Sequence, residues 1–196
     1  MEKRTLVIVD FQNDFCNPKG SLYVNGAEEA KANIIKYLDE NKDNIDNVIL
    51  TRDWHRVDDK SFAENGGTWP VHCLQGNWGA DVDGAILSAL NDLHLNFVYS
   101  NKGTNPNVEE YGAFSFIQET ADGIALQNVN DSYVTLIPED AANVVVCGIA
   151  GDYCVLETTK NLVNSGKFNV ELFLDGIASI DGGEAINKYN NEVIKK

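Results

Sequence analysis

The stretch "NVVVCGIAGDYCVLETTKNLV", from Asn143 to Val163, changes its hydrophobic period once, and that change decides the fold. Its first part, Asn143 to Gly148, is a short and nearly continuous apolar run, the pattern of a strand buried on both faces. From Cys154 onward the apolar residues recur near helical spacing until Gly166 stops the helix. A strand, a turn and a helix therefore follow one another. The same alternation recurs along the chain. TLVIVD (Thr5 to Asp10), VILT (Val48 to Thr51), NFVYS (Asn96 to Ser100) and VELFLD (Val170 to Asp175) read as strands. GAEEAKANIIKYLDENK, GAILSALND and the terminal GGEAINKYNNEVIKK read as helices. This alternation predicts an α/β fold: three layers, α/β/α, around a mostly parallel central sheet with right-handed crossovers. The interval from Gly112 to Asp140 stays unassigned, with SYVTLIPED a candidate extra strand.

A chain of 196 residues is expected to form one domain over 1–196, because domains commonly run to about 100–200 residues. Its 15 Lys and Arg against 30 Asp and Glu leave a net charge of −15, which repels phosphate backbones and anionic headgroups. Nucleic acid and membrane surfaces are therefore not expected partners. The start, MEKRTLVIVDFQNDF, reads as a first strand and not as a signal peptide, since its apolar part is short and runs into Asp10. No apolar run approaches the ~18 residues of a membrane helix. The four cysteines form no C-x-x-C pair and are expected as thiols in a cytoplasmic protein.

In folds of this class, ligands sit beyond the carboxyl ends of the strands. Those ends carry Asp10, then Asp53 with His55, then Lys102, then Cys154 after the turn GIAGDY. Asp53 and His55, two apart at the end of an extended run, should leave the same face. Cys154 opens a helix, where unpaired N–H groups and the dipole are expected to favour a thiolate. Cys147, inside an apolar run, reads as core, and His94 as structural. Cys16 and Cys73 adjoin the relevant segments, but no spacing makes them ligands.

VDFQNDFC, TRDWH, WPVHC, NKGTNP and GIAGDYCV, in this order over nearly the whole chain, resemble the isochorismatase-like cysteine hydrolases, and among them the nicotinamidases. The resemblance implies a catalytic triad of Asp10, Lys102 and Cys154, with an oxyanion hole from the N–H groups of Ala150 and Cys154. It implies a cis peptide between Ile149 and Ala150. It implies one divalent metal ion on Asp53, His55 and His72, with either Glu64 or water in the fourth position. Imidazole and carboxylate donors suit zinc first, with iron or manganese as alternatives. Phe15, Trp69 and Tyr111 match positions that wall the substrate pocket, and the implied substrate is nicotinamide, whose ring nitrogen the metal would hold. One position departs from the pattern: Gly151 stands where the resemblance has Thr. Two rivals stay open, another hydrolase of the superfamily and a non-catalytic binding or redox protein with a reactive thiol. A homo-oligomer is compatible with either.

Overall fold

The computed structural model describes residues 3–129, 133–138 and 143–195. In chain order its strands are β1 (Arg4–Val9), β2 (Ile45–Asp53), β3 (Phe97–Lys102), β4 (Phe116–Thr120), β5 (Gly123–Gln127), β6 (Thr135–Ile137), β7 (Asn143–Ile149) and β8 (Asn169–Ala178). The helices are α1 (Asn13–Cys16), α2 (Ala27–Asn41), α3 (Gly84–Asp92), α4 (Cys154–Asn164) and α5 (Glu184–Tyr189). Five strands form one sheet in the order β3-β2-β1-β7-β8, with every neighbouring pair parallel.

Alternation within β1 shows how the sheet acquires two buried faces. Leu6 and Ile8 point to one side, where they join Val48, Leu50 and Cys147 beneath α2 and α3. The apolar stripe of α2, Ala27, Ala30, Ile34 and Leu38, is buried on this side. Val7 and Val9 point the other way, into a cluster with Ile49, Val146 and the α4 residues Val155 and Leu162. Each side chain of this size withdrawn from water contributes about 1.5–3 kcal/mol. The start of α3 is fixed by the Asp83 side chain, which accepts from the N–H groups of Ala85 and Ile86.

The interval that the sequence left unassigned holds a second, antiparallel sheet, β4-β5-β6. Its inner residues Ile117, Leu126 and Ile137 pack on the α4 side of the core. The candidate strand in SYVTLIPED is present as β6, while Ser132, Glu139 and Asp140 lie outside the described residues. Among the described residues, no helix is long and apolar enough to cross a membrane.

The parallel arrangement sets the site. Asp53 at the end of β2 is in register with Lys102 at the end of β3. Asp10 follows β1, and Cys154 opens α4 after β7. Four carboxyl ends thus deliver their side chains to one edge.

Candidate active site

Lys102 sits at the centre with no exposed surface. Its Nζ lies 2.8 Å from Asp10 Oδ2, 2.5 Å from Asp53 Oδ1 and 3.6 Å from Cys154 Sγ. Burial alone would discharge this ammonium, but the two carboxylates hold its pKa well above the usual lysine range. For Asp53, burial favours the neutral acid, yet Lys102 and the neighbouring histidines win and hold its carboxyl below the usual range. Asp10 goes the other way: burial raises it in spite of Lys102, which makes it the stronger base. Asp10 also takes a 2.6 Å hydrogen bond from the Thr51 hydroxyl.

The thiol differs from the sequence expectation. Cys154 does open α4, but burial pushes its pKa well above the usual thiol range and the Lys102 charge only partly offsets this. The desolvation of a buried anion outweighs the helix dipole. The resting group is therefore the thiol, and a base must take its proton.

Beyond Asp53 lie His55 and His72, both buried. Their Nε2 atoms are 3.7 and 3.9 Å from the same oxygen, Asp53 Oδ2, and the three ligand atoms lie within 4.8 Å of one another. The opposite ring nitrogens are occupied. His55 Nδ1 meets Asp59 Oδ2 at 3.0 Å, and His72 Nδ1 meets the Pro70 carbonyl at 2.7 Å. Such partners fix the ring and leave Nε2 to a metal, so the donor set fits a divalent ion. Burial opposes a charge on His55, yet Asp53 and Asp59 push its pKa up to about 9; burial lowers His72. Gly103, at φ +65°, packs so tightly on the His55 ring that a Cβ there would lie 2.7 Å from Cε1. Glu64 is exposed on the short 3-10 turn Ala63–Asn65, and its carboxylate is not part of this cluster.

Cys154 and the trio Asp53, His55 and His72 line one cavity that opens to solvent, with Asp10 and Lys102 fully buried behind them. The pocket residues expected from sequence, Phe15, Trp69 and Tyr111, line it together with Ala150 and Cys154. The Ile149–Ala150 peptide is cis. Trp69 Nε1 donates to the Tyr111 hydroxyl at 3.0 Å, and Tyr153 packs against both rings. Leu22, Val24, Glu109, Tyr153 and Ile180 complete the lining and were not singled out in the sequence. Gln12 was missed as well: its buried amide donates to Asp53 O and accepts from Asp53 N, both at 2.8 Å. A side chain that clamps backbone 41 residues away leaves no local periodic trace. Cys16, Cys73 and Cys147 are buried free thiols, and His94 is exposed past the end of α3.

A family model described as the isochorismatase domain matches residues 4–101. A nicotinamidase/pyrazinamidase of Mycobacterium tuberculosis is 32% identical over 83% of this chain and 80% of its own. The chain belongs to the isochorismatase family. Within that family it is also 29% identical to a nicotinamidase of Saccharomyces cerevisiae, over 97% of this chain and 95% of the relative. The crystal structure of a Pyrococcus horikoshii pyrazinamidase in complex with zinc superposes with a TM-score of 0.70 at 27% identity, covering 96% of this chain and 95% of that one. The matched range includes Asp10, Asp53, His55 and His72 and ends just before Lys102.

Proposed function

We propose that this isochorismatase-family chain is a nicotinamidase, hydrolysing nicotinamide to nicotinic acid and ammonia through a thioester on Cys154. The observation that carries the reading is the position of Lys102, whose Nζ lies within 3.6 Å of Asp10, Asp53 and Cys154 at once, so that a base and a thiol stand beside the Asp53, His55 and His72 cluster. Asp10 takes the proton of Cys154 Sγ, and the sulfur attacks the carboxamide carbon. Lys102 balances the charge passing between the two. The N–H groups of Ala150 and Cys154 are the donors for the oxyanion. Collapse of the tetrahedral adduct breaks the C–N bond, and the proton held by Asp10 goes to the departing ammonia. Asp10 then takes a proton from water, which adds to the thioester. Collapse of that second adduct returns Cys154 with its proton and releases nicotinic acid.

Asp53, His55 and His72 would hold one divalent ion, zinc first and iron or manganese next, with water as a further ligand. When bound, it supplies a Lewis-acidic anchor for the pyridine nitrogen. Phe15, Trp69 and Tyr111 line the cavity as the aromatic wall for the ring, and Glu109 adds a carboxylate to the lining. Four free cysteines are compatible with a reducing compartment such as the cytoplasm.

The test is direct: incubate the metal-loaded protein with nicotinamide and measure ammonia and nicotinic acid in parallel. Equimolar products support the reading. No release from nicotinamide, with turnover of a carbamoylated amine or a vinyl ether instead, would transfer the protein to another branch of the family.

A further inference from the structure

Ile180 is an unusual member of the cavity lining. It contributes to the wall, yet it is 54% exposed, which places it at the rim. An isoleucine at a rim has no burial to justify it, so what holds it there matters. The segment after β8 is stitched to the turn before Cys154 at several points. Gly151 N donates to Ala178 O at 2.9 Å. The Asp152 carboxylate accepts from Ile180 N at 2.9 Å through Oδ1 and from Asp181 N at 3.2 Å through Oδ2. Ser179 packs so closely on Gly151 that a Cβ there would lie 2.0 Å from its Oγ. Asp152 therefore ties the rim residue to the same turn that carries the nucleophile.

The geometry points to Ile180 as the residue that sets which ring-substituted pyridine-3-carboxamides enter, with Asp152 as its positioning residue. The inference rests on the nicotinamidase reading and extends it to specificity. A pyridine-3-carboxamide held at its ring nitrogen and attacked at its amide carbon is anchored at positions 1 and 3. The ring atom opposite that anchored side is C5. A substituent on C5 is directed away from the anchored side toward the cavity mouth, where Ile180 is exposed and Leu22 and the buried Val24 continue the apolar wall. Small size differences in such a wall discriminate measurably. Asp152 does not touch the substrate; it acts through the backbone of Ile180.

The experiment measures Kd for nicotinamide and for 5-isopropylnicotinamide in metal-loaded protein carrying Cys154→Ala, and kcat/KM for both in protein with the thiol intact. Ile180→Ala is expected to improve the substituted amide relative to nicotinamide by about tenfold, and Ile180→Trp to worsen it by a similar factor. Asp152→Ala should shift the ratio in the direction of Ile180→Ala, with Asp152→Asn in between because it keeps one acceptor. In the double variant the two effects should fall short of their product, as for coupled residues. A ratio constant to within about twofold in both Ile180 variants would overturn the inference. Independent, multiplying effects would remove Asp152 from it. Ammonia release by the unaltered protein reports separately on the nicotinamidase reading, because the binding ratio is obtained whether or not the amide is cleaved.

Discussion

An ammonium with no exposed surface needs counter-charges, and Lys102 has two, Asp10 at 2.8 Å and Asp53 at 2.5 Å. Replacing it by methionine preserves length but leaves Asp10 and Asp53 buried without the ammonium between them. Breaking a buried pair in this way costs about 3–5 kcal/mol, so Lys102→Met should lower the urea midpoint as well as abolish ammonia release. Cys154→Ala removes the nucleophile and no charge: ammonia release should vanish with the melting temperature nearly unchanged, while Cys147→Ala stays active. Activity surviving in Cys154→Ala would exclude the thioester. Asp59 belongs to the same scale. Its carboxylate holds His55 Nδ1, and Asp59→Ala should weaken metal binding, read by competition with a chromophoric chelator, by about 10–100-fold. Unchanged affinity would make that contact incidental. The sequence could show Asp53, His55 and His72 because each stands in a motif at a strand end or its loop. Asp59, Thr51 and Gln12 could not be found that way, since their roles come from what tertiary packing brings beside them.

The turn between β7 and α4 shows how an element can keep its place with a changed residue. Gly151, where the resemblance has threonine, is filled from outside by Ser179, whose Oγ occupies the position of the missing side chain. Gly151→Thr should therefore displace the turn and reduce kcat, and adding Ser179→Gly should restore part of it. A double variant no better than Gly151→Thr alone would show that the space is not shared. The central strands β1, β2 and β7 were legible as apolar runs because both their faces are buried. β4 was not: FIQET is half-exposed along its length, and a short antiparallel strand with one wet face carries little hydrophobic signal. The helical start at Cys154 was legible too, but the desolvation that pushes its thiol pKa up was not, because the sequence does not show how deeply the helix start is buried.

At the scale of the molecule, one sheet edge gathers Asp10, Lys102 and Cys154 beside Asp53, His55 and His72, with Lys102 and Asp53 in contact. A net charge of −15 opposes the approach of anionic polymers. The central claim is that both groups act on one ring, the thiol at the amide carbon and the metal trio at the pyridine nitrogen. Benzamide has the amide and lacks the nitrogen. The decisive measurement compares ammonia release from nicotinamide and benzamide before chelation, after it, and after zinc is restored, with bound metal counted by elemental analysis. Nicotinamide turnover should fall by about 10²-fold on chelation, as expected for lost orientation, and recover with zinc, while the low benzamide rate stays where it was. Equal rates on the two amides, or full nicotinamide turnover by metal-free protein, would contradict the account.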